Sequence, residues 1–398
     1  MPVLLPAETI EALATVAAAP GMTTPCQIVY WGLTDWEGLT QRPQLLAGEL
    51  SKRYRVLYVR PAPISRWLRA RGPLPPAVER LSDRLVVLRP RALSPGRLRP
   101  FAHLNDEWAT RRIRAELRSD RPIILWLSHP DQAGQIGRYG ERLVVFDEMD
   151  YHAGFKTGPA RAAMAAAEEW LLRRADLVFA SGLDLHARAV AAGARPLLVP
   201  NGVLFERFAT AATRPLPPPP PVARLPRPRL LFYGTFGPWF DTALLASIAR
   251  ARPEWTLVLF GGGDGADLAR LAGLPNVHRL GWQPYDLLPA YLQHADACLL
   301  PFHDTPATRA MDPVKLYEYL AAGKPVVATP LPELAKWGDL VDLAATPAEA
   351  IAAIERHLRA PEPAERRQQR LAAAARHTWA ARAAIISAAL EAALAGQR

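Results

Sequence analysis

Residues 309–330 read RAMDPVKLYEYLAAGKPVVATP. The stretch from Pro313 to Gly323 is punctuated like a short helix: proline suits a first turn and glycine ends a last one. Lys315 and Glu318 are three residues apart and so share one helix face. A cation and a carboxylate beside a helix N-terminus can hold a nucleoside diphosphate. The helix end and Lys315 favour the phosphates, and Glu318 can accept hydrogen bonds from ribose hydroxyls. The same two residues would also make an ordinary exposed Lys–Glu pair.

A second constellation lies in RLVVFDEMDYHAGF at 142–155. An apolar run leads into Asp147, Glu148 and Asp150, with His152 two residues further on. Carboxylates at the carboxyl end of a parallel strand stand where such sheets bind ligands. Asp150 is placed to take a proton or to cap the next helix, and His152 offers a second base. A metal held by Asp147 and Asp150 is the minor alternative. Earlier, GLTDWEGLTQRPQ follows a strand-like run, and puts Asp35, Gln41 and Arg42 on a loop that could contact a substrate or simply anchor Trp36.

These residues need elements to position them. Apolar runs at 26–31, 55–59, 85–89, 123–127, 142–146, 176–180 and 196–199 alternate with helix-like stretches such as 42–53, 106–118, 160–174 and 183–192. The alternation resumes with strands at 229–233, 255–260, 276–280, 296–301 and 325–329 and helices at 241–251, 265–272, 285–294, 313–322 and 347–358. Such alternation predicts parallel α/β sheets. Between the halves, PLPPPPPVARLPRP is too proline-dense for helix or central strand and reads as a stiff linker. The expected division is 1–214, a linker at 215–228, 229–375, and a C-terminal helix at 376–398 that could pack back on the first domain.

Taken together these segments resemble nucleotide-sugar glycosyltransferases of the two-Rossmann GT-B fold. The residues carrying the resemblance are P-x-K-x-x-E-Y-x-A-x-G-x-P-V-V at 313–327, NVHRLGW with DLLPAYLQHADACLLPF before it, FYGTFGPWFDTALL at 232–245 and VPNGV at 199–203. DWEGLTQRPQLLAGEL at 35–50 resembles a bacterial cell-surface polysaccharide subset of the teichuronic-acid type. The resemblance implies two Rossmann-like domains facing across a cleft, with acceptor on the first and donor on the second. It implies a nucleoside diphosphate sugar donor, most readily a UDP-sugar, a lipid-linked or polysaccharide acceptor, and no metal or other cofactor. It places the donor on Gly234, Thr235, Trp282, Gln283, Arg309, Lys315 and Glu318, and the acceptor on Asp35, Gln41 and Arg42. Ala310 stands where many retaining members carry the first glutamate of E-x(7)-E, and residues 234–241 lack their Arg and Lys. Lys315 and Arg309 would then supply the positive charge. That pattern is closer to inverting xanthan-type glucuronosyltransferases, whose base position Asp150 matches, with His152 as competitor. A sugar-nucleotide epimerase on the same fold is the alternative.

The glycine-rich LFGGGDGA satisfies G-x-G-x-x-A through Gly261, Gly263 and Ala266, with Asp286 about 20 residues on. It follows the second strand of its half, not the first, so dinucleotide binding is not expected. No H-E-x-x-H, Walker loop or G-x-S-x-G occurs. Cys26 and Cys298 sit in apolar runs and are expected to be buried thiols of a reducing compartment.

The 398 residues carry a formal net charge of +10. Residues 52–121 hold Lys52 and 17 arginines against six acids, so the excess lies in the first half. No nucleic-acid module accompanies it. The expected partner is an anionic membrane, met by a loop at 61–76 where Trp67 and Leu68 stand among Arg66, Arg69 and Arg71. The expected location is therefore cytoplasmic, peripheral to the inner face of the plasma membrane. No run approaches the ~18 consecutive apolar residues of a membrane span, and the N-terminus lacks the basic region of a secretory signal.

Overall fold

The computed structural model describes residues 26–38, 40–63, 76–92, 99–263, 265–359 and 362–396. It divides into two compact units, Met1–Val199 with Ala380–Arg398, and Pro200–Trp379. Most of the 61–76 loop lies outside the described residues.

The first unit is built on β1 (Gln27–Trp31), β2 (Arg55–Val59), β3 (Val78–Arg80), β4 (Leu85–Leu88), β5 (Ile123–Leu127), β6 (Leu143–Glu148), β7 (Leu177–Ala180) and β8 (Pro196–Leu198). They form one sheet in the order β8-β7-β6-β5-β1-β2-β4-β3. All pairs are parallel except β3 with β4. Strands such as IILWL and LVVFDE are almost wholly buried, as expected where helices cover both faces. The helices are α1 (Arg42–Leu50), α2 (Arg99–Glu116), α3 (Gly158–Arg174) and α4 (Leu183–Ala191). Because β1 lies between β2 and β5, the strand order reverses there. In open parallel sheets the ligand crevice opens at the carboxyl ends beside such a reversal.

The second unit contains α5 (Phe205–Thr213), β9 (Arg229–Thr235), α6 (Thr242–Ala251), β10 (Thr256–Gly262), β11 (Val277–Arg279), α7 (Leu288–Gln293), β12 (Ala297–Leu300), α8 (Val314–Ala321), β13 (Val326–Ala328), β14 (Asp342–Leu343), α9 (Pro347–Arg359) and α10 (Ala364–Ala375). Its sheet runs β11-β10-β9-β12-β13-β14, all parallel, so the reversal falls at β9. The last helix, α11 (Trp379–Gly396), begins in this unit, and from Ala380 groups with the first. There Tyr54 Oη donates to Glu391 Oε1 at 3.1 Å and Arg53 pairs with the same carboxylate at 2.5 Å.

Two expectations need correction. The proline-rich stretch is not the boundary: the chain divides at Val199, and 215–228 lies inside the second unit with a helical turn at Pro220–Ala223. Asn201 explains the earlier boundary. Its backbone N–H donates to Asp312 Oδ2 at 2.7 Å and its side chain to the Asp312 carbonyl at 2.6 Å, which ties VPNGV to the second unit. Gly202 beside it meets the 377–379 backbone so closely that a Cβ would not fit. Second, the helix expected at 265–272 is only a 3₁₀ turn, Leu268–Leu271, which disposes of the dinucleotide fingerprint. By length and composition α11 would also suffice to cross a membrane, but as expected no unbroken apolar run reaches that length. Its Trp379, Ile386 and Leu390 are fully buried. Cys26 and Cys298 are buried and unpaired.

Candidate functional site

In the second unit three segments meet near the carboxyl end of β9. Gly234, at φ +140°, lies under the Lys315 side chain so closely that any Cβ would overlap Lys315 Cε. Gly261 of β10, at φ +137°, meets the Gly234 carbonyl in the same way. Only glycine tolerates both the dihedral and the approach. Thr235 lies beside Gly263 and is partly exposed. Gly323, at φ +68°, ends α8 as its position suggested.

Glu318 is not half of an exposed pair. It is 2% exposed. Its Oε2 accepts from Tyr233 Oη at 2.5 Å and its Oε1 from Tyr285 Oη at 2.7 Å. Burial pushes its carboxyl above the usual range, while the two tyrosines and Lys315 oppose that shift. Burial, with Glu318 beside them, holds both phenols well above theirs. Tyr233–Glu318–Tyr285 thus fastens β9, α8 and the turn after β11 into one piece. Each carboxylate oxygen accepts from one tyrosine and keeps a second lone pair, so this brace leaves acceptor capacity for the expected ribose contact.

That turn carries Trp282, 56% exposed, and Gln283. Gln283 is spent on the turn: it donates to the Leu280 carbonyl at 2.9 Å and accepts from Tyr291 at 2.7 Å. Arg309 is ion-paired with Asp304 at 2.6 Å on the surface, and holds that carboxylate below its usual range. Arg207, which the sequence did not single out, lies 5.4 Å from the Tyr285 ring centre.

In the first unit the expected residues lie at the carboxyl edge of the sheet. Asp35 follows β1, with Arg60 at 3.7 Å. Trp36 packs edge-on against Tyr58 at 5.0 Å, the anchoring role open to it in the sequence. The Gln41 N–H donates to Gln44 Oε1 at the start of α1. Arg42, expected on the acceptor, is instead interior. Its side chain is 2% exposed and that of Asp147 0%. Arg42 Nη2 donates to Asp147 Oδ1 at 2.6 Å and Nη1 to the Val199 carbonyl at 2.9 Å. A guanidinium committed in this way joins α1 to β6 and the end of β8 and does not meet solvent.

Asp150 follows β6 and is partly exposed. The next 3₁₀ turn, His152–Phe155, is preceded by Tyr151, so Asp150 is not its cap. His152 is buried, 4.3 Å from the His129 ring. Desolvation and His129 lower it to about 3, so it is neutral at physiological pH. One nitrogen bonds the Ser128 backbone, and Nε2 is left without a partner.

Two further carboxyls stand here, Glu148, which the sequence placed at the strand end, and Glu168, which it did not single out. Burial and then Glu168 push Glu148 up to about 8, and its Oε2 is buried without a partner. Glu168 of α3 is raised by burial to about 7 and accepts from the Ala153 N–H at 3.2 Å. No cluster of three or more His, Cys, Asp or Glu residues suited to a metal occurs among the described residues.

Two Rossmann-like parallel α/β units define the GT-B fold, and solved structures bear this out. Sucrose-phosphate synthase from Thermosynechococcus elongatus superposes with TM-score 0.71 at 18% identity, over 93% of this chain and 100% of that one. HepE from Anabaena, solved with UDP and glucose, gives 0.62 at 16%, over 92% and 99%. E. coli trehalose-6-phosphate synthase bound with UDP-2-fluoro glucose gives 0.65 at 12%, over 91% and 98%.

Within that class, residues 227–360 match the family described as Glycosyl transferases group 1. It is also 30% identical over 227 residues to TuaH of Bacillus subtilis (strain 168), a protein named for a glycosyltransferase role in teichuronic acid biosynthesis. That match covers 53% of this chain and 56% of TuaH, so it spans little more than half of either protein.

Proposed function

We propose that the chain is a glycosyltransferase moving a sugar from a nucleoside diphosphate sugar, first among them a UDP-sugar, to a lipid-linked or glycan acceptor of bacterial envelope polysaccharide. The observation that carries this is Lys315 lying over Gly234 at the strand reversal of a group 1 glycosyl transferase domain. The second unit takes the donor and the first the acceptor. The UDP bound to HepE and the UDP-2-fluoro glucose bound to the E. coli trehalose-phosphate protein support a uridine nucleotide, and the name of TuaH supports an envelope glycan. The work would take place at the inner face of the plasma membrane.

In the reaction the acceptor hydroxyl oxygen bonds to the anomeric carbon as the bond from that carbon to the diphosphate breaks. The hydroxyl proton passes to Asp150, and configuration inverts. Lys315 neutralises the charge that develops on the departing diphosphate. His152, neutral and weakly basic, suits hydrogen-bond acceptance at Nε2 better than proton abstraction. Arg309, Trp282 and Thr235 remain assigned to the donor side. No metal is required by this scheme, and turnover in EDTA is expected to equal turnover without it.

Incubation of the purified chain with UDP-sugars and membrane or glycan acceptors tests the reading. Release of UDP with a glycosylated acceptor supports it. Interconversion of UDP-sugar epimers without acceptor would replace it with the epimerase, which none of the relatives named above supports.

A further inference from the structure

Helix α2 has two opposed faces. Ala109, Thr110 and Ile113 are buried, and Ala109 and Ile113 belong to the core of the first unit. On the other side Leu104 is 45% exposed and Trp108 44%. At 3.6 residues per turn, Leu104, Trp108, Arg111 and Ala115 fall in one stripe about 60° wide, with Arg112 and Arg114 on its two flanks. Arg111, Arg112, Arg114 and Ala115 are all exposed.

The acids of this helix do not neutralise that face. Asp106 and Glu107 pair with Arg138, and Glu116 with Arg55 and Arg80. Neither Arg111 nor Arg112 has an ion pair with another described residue. An apolar centre between guanidinium groups, on a helix anchored by its opposite face, is the pattern of a helix lying in a bilayer interface. Leucine and tryptophan enter the headgroup–acyl boundary and the arginines meet lipid phosphates.

We infer that the outer face of α2, centred on Leu104 and Trp108 and rimmed by Arg111 and Arg112, docks the protein on an anionic phospholipid surface. The inference rests on the proposed lipid-linked acceptor and gives it an address on the molecule. Charge complementarity selects an anionic bilayer over a neutral one.

The test is flotation of the full chain with vesicles of phosphatidylcholine alone and with vesicles containing about 30% phosphatidylglycerol. The native chain is expected to float only with the anionic vesicles. Leu104→Ser with Trp108→Ser, and separately Arg111→Glu with Arg112→Glu, are each expected to weaken binding about tenfold or more. Their melting temperatures should be unchanged, as should their turnover on a short water-soluble acceptor. A native chain that does not float overturns the inference. If that chain still glycosylates the soluble acceptor, the proposed transfer survives without it. Native and variant chains floating equally would keep membrane docking but remove it from α2. Variants that lose heparin or RNA retention while native vesicle binding is absent would convert the face into a polyanion site and contradict the lipid assignment.

Discussion

The Lys315 side chain crosses Gly234 with no room for a Cβ between them. The Lys315 side chain therefore lies against the end of β9, where the parallel sheet reverses its order. Gly234→Ala must both strain a backbone at φ +140° and displace Lys315. Such strain costs about 1–3 kcal/mol. The expected result is a folded but less stable protein whose donor turnover falls at least tenfold, read by steady-state kinetics beside a thermal melt.

Glu318 accepts from two buried phenols, and Glu318→Gln presents an N–H₂ to at least one hydroxyl that must then turn away. An unsatisfied buried donor costs about 1–3 kcal/mol. For a unit of roughly 200 residues each kcal/mol is worth roughly 2–4 °C. Calorimetry should show a fall of that order, and Tyr285→Phe a smaller one. If Glu318→Gln melts like the native chain but loses donor affinity, the residue serves ribose and not the brace.

Arg42 and Asp147 form an ion pair closed to solvent. Removal of one partner from such a pair typically costs 3–5 kcal/mol, since the other charge is left buried alone. Arg42→Ala should therefore lower the melting temperature by roughly 10 °C, with acceptor KM little changed in whatever remains folded. An unaltered melt with a raised acceptor KM would restore the acceptor role the sequence suggested.

Glu148 has its carboxyl raised to about 8 in the folded chain. Its unfolded value is near 4.3. Between those values the folded state holds a proton that the unfolded state has lost. The contribution to stability is therefore fully present below the unfolded value, and is lost as pH rises through about 8. Glu148→Gln should melt higher than the native chain at pH about 9 and nearly match it at pH about 4. Parallel stability curves for the two proteins would mean that Glu148 is ionised throughout.

Much of the architecture was legible because both sheets are parallel and buried. Runs such as IILWL and LVVFDE are continuous, and Gly323 and Pro313 bracket α8 where such residues do. The proline stretch misled because its composition excludes helix and strand but does not say which body it packs on. Asn201, bonded to Asp312 across more than a hundred residues, decides that. Lys315 was found by its motif and Gly234 by the strand before it, yet nothing in either shows that they touch. Glu168 and Tyr285 were invisible for the same reason. A glutamate in the middle of an Ala- and Arg-rich helix looks solvated until the turn carrying His152 is seen packed against it. Arg42 was misplaced because a charged residue after a glycine loop reads as exposed, while its partner Asp147 lies 105 residues further on.

The most direct test is to measure UDP-sugar binding by isothermal titration and turnover by UDP release, for the native chain and Lys315→Ala. The native chain is expected to bind a UDP-sugar and turn it over with acceptor. The variant is expected to lose roughly 100-fold or more in kcat while its donor affinity falls far less. A native chain with no affinity for nucleotide sugars, or a variant with unchanged kcat, would contradict the proposed reaction.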